Sequence, residues 1–387
     1  MAVNLSFSEV LCHFAVDLYD QIIKEQSPQF KNVFWSPMSV HAAIALIMAG
    51  ASGVTKQEMV KMLHVPDTLN ESQAHELFGS TFVNISQSSK TVEVAAANRL
   101  FLLQPAKILP EYSKTLSKHY NAETESLVEF GGLENKRVHM NKWVSNVTKG
   151  KINDLIPPDA LSESSILTIL NALYFKGLWE HPFAKNRTTN ATFYLLDGKT
   201  LEVPMMYIKE RLPYIWLADL DADVIRLPFL GADWEMLIVL TREKSKFPGL
   251  LAHLREPGKL TELMNTELDL IEMELYMPKF RLAGSKALDV KELLKRCGMT
   301  SAFDSVHADL SRMCSNGKLF VSELLHKAVL EVDEEGATAA ATTGVFFSFR
   351  SGFGPPTFRV DHPFFVTLVY KSNVPAFIGH IVVPEKF

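Results

Sequence analysis

The 387-residue sequence predicts an α+β fold, and three observations carry that prediction. Helical periodicities fill the first third of the chain. Strand patterns take over from about residue 165, and the two kinds of segment do not alternate as βα units would. No internal repeat, low-complexity tract or Pro/Gly/Ser linker divides the sequence, so residues 1–387 read as a single domain.

The elements follow in order. Phe7, Val10, Leu11, Phe14, Leu18 and Ile22 recur at helical spacing, which marks an amphipathic helix of the fold rather than a cleavable signal segment. Ser36-Pro37 opens a second helix, with Ser36 as N-cap and Pro37 where its missing N–H costs nothing; this helix runs to about Gly50. Thr55-Lys56-Gln57-Glu58 has the form of a capping box opening a short helix. A further helix is expected over about Val138 to Lys149, with Met140, Val144 and Val147 on one side and Gly150 as its stop. Ser165 to Phe175 is almost continuously apolar, as a strand covered on both faces should be. Val224–Phe229 and Met236–Thr241 flank Gly231-Ala-Asp233 as a hairpin. Ile271 to Met277 alternates strictly and should keep one wet face. Phe364–Tyr370 and Ala376–Val383 form a last hairpin.

Composition removes several classes of function. With 39 Lys+Arg against 44 Asp+Glu, the formal charge of −5 argues against a nucleic-acid partner, which calls for a basic stripe. The longest apolar run, Met38 to Ala51, falls short of the roughly 20 residues a membrane span needs. Cys12, Cys297 and Cys314 contain no C-x-x-C pair, so neither a metal site nor a disulfide framework is signalled. They read as small buried hydrophobes, one of them as a free thiol. No nucleophile elbow, metalloprotease helix, P-loop or dinucleotide fingerprint is present, so an enzyme is not expected and no cofactor is implied.

One stretch does not fit. Residues 334–356, EEGATAAATTGVFFSFRSGFGPP, carry no clear helix or hairpin signal, and structureless loops beyond about 12–15 residues are uncommon in compact domains. Read alone, Ala337 to Gly344 fits a frayed helix or a tether as well as a strand. Read with period two, Ala337, Ala339, Ala341, Thr343, Val345 and Phe347 share one face. The opposite face, Thr338, Ala340, Thr342, Gly344, Phe346 and Ser348, carries no charge to obstruct insertion between strands.

Several stretches along the whole chain resemble the serpins. They are Asn32-Val-Phe-Trp-Ser-Pro-Met-Ser39, Ala97-Asn-Arg-Leu-Phe101, Asn141-Lys-Trp-Val-Ser145, Thr148-Lys-Gly-Lys-Ile152, Asn171-Ala-Leu-Tyr-Phe-Lys-Gly-Leu-Trp-Glu180 and Asp361-His-Pro-Phe-Phe365, with Gly379 in the last strand. The resemblance implies helices packed on three β-sheets with an exposed reactive-centre loop at about 334–356. It implies that Glu334-Glu335-Gly336 is the proximal hinge and that Ala337 to Thr343 inserts into the large sheet. In inhibitory members the seventeenth residue from the hinge glutamate precedes the scissile bond; counted from Glu334 this is Arg350, so the implied bait bond is Arg350–Ser351. Ala337 departs from the family's usual Thr or Ser. Ser36, Ser39, Asn171 and His326 match the polar cluster where the sheet opens, and Trp179 matches the tryptophan beside the point where the loop first inserts. Without the resemblance, each would read as a cap, a satisfied core group or packing.

The resemblance implies a suicide substrate. A protease attacks the Arg350 carbonyl, and the cut loop inserts and traps the acyl-enzyme. Arg350 suits a trypsin-like serine protease, whose primary pocket holds an Asp. Phe349 before it disfavours proteases with a cramped second pocket; papain-like cysteine proteases also accept Phe-Arg and are the alternative target. The other rival is a non-inhibitory serpin, whose proximal loop would carry charge, bulk or proline; Ala337 to Thr343 carries none. Heparin binding is not expected, because the segment between Asn70 and Glu93 offers only Lys90. A monomer is expected. The Arg bait and the sequons at Asn4, Asn70, Asn84, Asn146, Asn186 and Asn190 favour a secreted glycoprotein, with a cytoplasmic location as the alternative.

Overall fold

The structure, a computed structural model, describes residues 6–26, 29–283, 286–315, 318–335, 355–371 and 373–385. The first third contains α1 (Phe7–Gln26), β1 (Val33–Trp35), α2 (Pro37–Gly50), α3 (Gly53–Met62) and α4 (Glu71–Ile85). Next come β2 (Val92–Leu102), α5 (Pro110–Tyr120), β3 (Thr124–Ser126), α6 (Leu133–Val147) and β4 (Leu167–Gly177). Strands then dominate, with β5 (Thr189–Tyr194), β6 (Thr200–Leu217), β7 (Ala222–Pro228), β8 (Trp234–Thr241), α7 (Phe247–Leu254) and α8 (Lys259–Asn265). The remainder holds β9 (Asp269–Pro278), β10 (Phe280–Leu282), β11 (Leu288–Asp289), α9 (Val290–Arg296), β12 (Val321–Val332), β13 (Thr357–Arg359), β14 (Phe364–Tyr370) and β15 (Val374–Ile381).

Helix α2 starts and stops where its sequence predicts. The Ser36 hydroxyl accepts the Ser39 N–H at 3.0 Å, and every residue from Pro37 to Gly50 is buried. A helix covered all round needs no polar stripe, which is why this run shows no amphipathic period. The Thr55 expectation is corrected. Helix α3 begins at Gly53, so Thr55 lies inside it, buried, accepting the Asp309 N–H at 3.0 Å. Glu58 reaches the Thr300 and Ser301 N–H groups, both at 2.8 Å, so the four-residue pattern serves tertiary contacts instead of a cap. A capping box does occur at Asn70 and Gln73, opening α4. Helix α6 begins at Leu133, one turn and more before Val138, because its polar first turn carries no hydrophobic signal to mark it.

Two sheets form among the described residues. One has six strands in the order β10-β12-β4-β2-β3, with β11 on β12. The other has nine in the order β1-β15-β14-β8-β7-β6-β9-β13, with β5 on β6. The resemblance implied three sheets; here two of them run together through the 18-residue β6, which pairs β5 and β9 along most of its length and β7 over Tyr214–Leu217. The main core lies between helices α1 and α2 and the inner faces of the sheets. A second cluster, including Phe101, Leu170, Tyr174 and Val329, packs the other face of the six-stranded sheet against Met140 and Val144 of α6. Cys12 and Cys314 are buried and Cys297 is half-buried, and none of the three is in a disulfide.

Candidate functional site

The site is a seam in the six-stranded sheet. Strand β4 is buried along nearly all of its length, as its apolar run predicts, and pairs antiparallel with β2 on one side. On the other side it pairs parallel with β12, from Val321↔Leu167 to Leu330↔Phe175. Parallel ladders are slightly less stable per residue than antiparallel ones. A chain that turned back after β12 and entered this seam would run antiparallel to both neighbours and exchange one parallel ladder for two antiparallel ones.

Midway along the seam lies a buried polar row. Asn98, Asn171 and His326 are register partners across β2, β4 and β12. His326 donates from Nδ1 to Asn171 Oδ1 at 2.5 Å and accepts the Ser36 N–H on Nε2 at 3.0 Å. That pair of roles requires the neutral imidazole, and complete burial pulls the His326 pKa down from 6.5 to about 3. Asn171 donates to the Ser39 hydroxyl at 2.7 Å and to its carbonyl at 3.1 Å. The Ser36 hydroxyl donates to the Ala376 carbonyl at 2.7 Å. The start of α2 therefore grips both strands of the seam from beneath, through Ser36 on β12 and Ser39 on β4. Farther along, the Tyr174 hydroxyl of β4 donates to Glu331 of β12 at 3.0 Å, a second bond across the seam.

The head of the seam holds the residues that follow β12. Trp179 stacks on Phe229 with ring centroids 4.3 Å apart, and its indole N–H donates to the Asp333 carbonyl at 2.8 Å. Its backbone N–H donates to the Glu335 carbonyl at 3.1 Å. Gly177, two residues earlier, admits this stack, because a Cβ there would lie 2.4 Å from the Phe229 ring. Lys176 bridges the Asp333 and Glu335 carboxylates, each at 2.9 Å. Glu334 is buried; its carboxylate meets Lys279 Nζ at 2.7 Å and accepts the Thr188 hydroxyl at 2.9 Å. Burial works to raise the Glu334 pKa, but Lys279, the residue's own backbone N–H and Thr188 together outweigh it and hold the carboxyl below its ordinary value.

The structure thus brings Ser36, Ser39, Asn171 and His326 into one hydrogen-bonded cluster and sets Trp179, Glu334 and Glu335 together at one end of the same seam. Gly336, Ala337 to Thr343, Phe347, Phe349, Arg350 and Ser351 lie outside the described residues. Sequence reading missed Asn98, Lys176, Thr188 and Lys279. Asn98 was within reach, since it occupies a polar position in the Ala97-Asn-Arg-Leu-Phe101 stretch. Lys279 and Thr188 meet Glu334 only through the tertiary fold.

The serpin (serine protease inhibitor) family matches residues 9–384. Mouse leukocyte elastase inhibitor A is 33% identical over 377 residues, covering 96% of this chain and 97% of the mouse protein. Iris from Ixodes ricinus is 32% identical over 382 residues, covering 98% and 99%. Among solved structures, Serpin48 of Tenebrio molitor is 26% identical with a TM-score of 0.83, covering 98% of this chain and 99% of that one. Uncleaved ovalbumin, at 23% identity, shares the fold with a TM-score of 0.88 over 98% and 100% of the two chains. The chain belongs to the serpin family of protease inhibitors.

Proposed function

We propose that this serpin is a suicide-substrate inhibitor of a trypsin-like serine protease, with Arg350–Ser351 as its bait bond. The observation that carries the reading is the position of Glu334 and Glu335 at the head of the parallel β4–β12 seam. A segment of small, uncharged side chains, Ala337 to Thr343, follows directly in the sequence. Cleavage at Arg350 would free that segment to enter the seam, and charged side chains in its place would be costly to bury there. Loop insertion releasing stored strain is a known switching device of this fold.

The elastase named in several relatives is not carried over, because an elastase primary pocket is small and Arg350 is long and charged. Phe349-Arg350 also suits papain-like cysteine proteases, which are the second class to assay. Helix α4 carries no Lys or Arg, which argues against a heparin site on that helix. The described sequon residues Asn70, Asn84, Asn146, Asn186 and Asn190 are all exposed, which is compatible with a secreted glycoprotein. Limited digestion with trypsin followed by mass spectrometry tests the bait assignment. A released C-terminal peptide beginning at Ser351 is expected, and a first cut elsewhere in 336–354 overturns it.

A further inference from the structure

Four side chains form one row on the outer face of the nine-stranded sheet. Tyr207 of β6, Tyr276 of β9 and Arg359 of β13 are register partners across three adjacent strands, so their side chains share a face. Leu275, Met277 and Phe358, which alternate with them, are buried on the core side. The Tyr207 and Tyr276 rings are 4.9 Å apart. Arg359 lies over Tyr276 at 3.9 Å, and Arg187, just ahead of β5, lies over Tyr207 at 3.7 Å. Each tyrosine of a touching pair is thus covered by a guanidinium.

Both arginines are exposed, and neither has an ion-pair or hydrogen-bond partner among the described residues. Stacking on the rings fixes the guanidinium planes and leaves their in-plane N–H groups open, in a fork that matches a carboxylate. The acidic groups on the same face are already engaged. Glu274 accepts the Tyr207 hydroxyl at 3.1 Å, and Glu272 meets Lys209 at 3.2 Å. An arginine held on a ring has already given up part of its rotamer freedom, so it loses less on binding than a solvated lysine would.

The row borders the point where the chain returns from the bait segment to the sheet. The Glu274 N–H donates to the Pro356 carbonyl at 3.0 Å, and Thr357 opens β13. Six residue steps separate Ser351 from Thr357, a reach of at most about 20 Å. A single-domain protease of about 220 residues has a radius of gyration of about 17 Å, so an enzyme seated on the bait bond has its own surface within reach of the row.

We propose that Arg187 and Arg359 form a docking strip for an acidic surface loop of the target protease. The inference rests on Arg350–Ser351 as the bait bond and adds the surface chemistry of the enzyme that attacks it. Charges at the rim of an interface act mainly on the rate of association, so the strip speeds encounter with anionic trypsin-like enzymes.

The test measures the second-order rate at which the intact full chain is consumed, trapped plus cleaved, by anionic and by cationic trypsin. The two enzymes share primary specificity and differ in surface charge. Arg187→Gln/Arg359→Gln should react about three- to tenfold more slowly than wild type with anionic trypsin at low salt, and no more slowly with cationic trypsin. The gap should close near 1 M salt, where the Debye length is about 3 Å. Arg187→Lys/Arg359→Lys, which keeps the charge and loses the fork, should fall between the two. Lys114→Gln/Lys118→Gln, exposed on α5 and outside this sheet, controls for net charge and should match the wild type. Either single arginine substitution serves if the pair does not fold. Equal rates for wild type and the arginine variant with anionic trypsin, an equal slowing with both trypsins, or an equal slowing in the α5 control would overturn the docking strip. The same digests report the cut site by mass, so a peptide that does not begin at Ser351 counts against the bait bond and is read separately from the rates.

Discussion

His326 donates to Asn171 at 2.5 Å across the parallel β4–β12 ladder, and both side chains are fully buried. The two strands that must part for a loop to enter are therefore fastened at mid-length by one short bond. Ser36 and Ser39, at the start of one helix, complete the hydrogen bonding of both partners.

Replacing Asn171 with Ala removes that bond and strands both the His326 Nδ1–H and the Ser39 hydroxyl. The expected loss is roughly 2–4 kcal/mol of stability, since the groups left behind are fully buried. Thermal unfolding measures it directly, and a change of less than about 0.5 kcal/mol, the size of a surface substitution, would contradict the role given to this residue.

Acid should loosen the seam. Above pH 6.5 His326 is neutral in both folded and unfolded chains; below it the unfolded chain binds a proton first, because the folded pKa is only about 3. Stability is thus lost as pH falls from 6.5 towards 3, by up to about 1.4 kcal/mol per pH unit for one such group. His41 and His380, also lowered to about 3 by burial, and His75, lowered to about 4, act in the same direction. His326→Gln should therefore flatten the pH dependence of the urea midpoint between about pH 4 and 6 by one group's share without abolishing it. An unchanged slope would mean that His326 is not the buried neutral base described.

At the head of the seam, Lys279→Met leaves the Glu334 carboxylate with only the Thr188 hydroxyl among its described side-chain partners. Lys279 keeps 29% side-chain exposure, so the pair is only partly desolvated. The variant should lose about 1–2 kcal/mol, less than a fully buried pair would. Lys279→Arg should restore most of it. The Glu334 contribution is present above the ordinary carboxylate range and fades as pH falls through the lowered folded value. A Tm for Lys279→Met equal to that of the wild type would contradict the anchoring.

Ala337→Arg places a charge in the segment proposed to enter the seam. The variant should still be cut by trypsin at Arg350–Ser351 while covalent trapping falls sharply, turning an inhibitor into a substrate. The ratio of trapped to cleaved protein on a denaturing gel reports this, and trapping at the wild-type level would remove the insertion argument.

Much of the fold is legible in the sequence itself. The Ser36 cap, the apolar run of β4 and the β7–β8 hairpin are local signals, written in consecutive residues, and each element appears where those signals place it. Thr55 to Glu58 misled because a capping pattern can equally satisfy a neighbouring loop, as Glu58 does at Thr300 and Ser301. The joining of two sheets through β6 depends on which strands sit beside it, and no local period encodes that. The polar cluster could be nominated from the family resemblance, but its connectivity could not. That His326 meets Asn171 follows from the β4–β12 register, and that Glu334 meets Lys279 follows from the close approach of segments 55 residues apart.

The most direct test of the central claim is to mix the protein with sub-stoichiometric trypsin and run a denaturing gel. The account predicts an SDS-stable complex at about the combined mass of the two proteins, accompanied by release of the peptide that starts at Ser351. Quantitative cleavage at Arg350–Ser351 with no complex would contradict it, because the cut loop would then have failed to enter the seam in time to trap the enzyme.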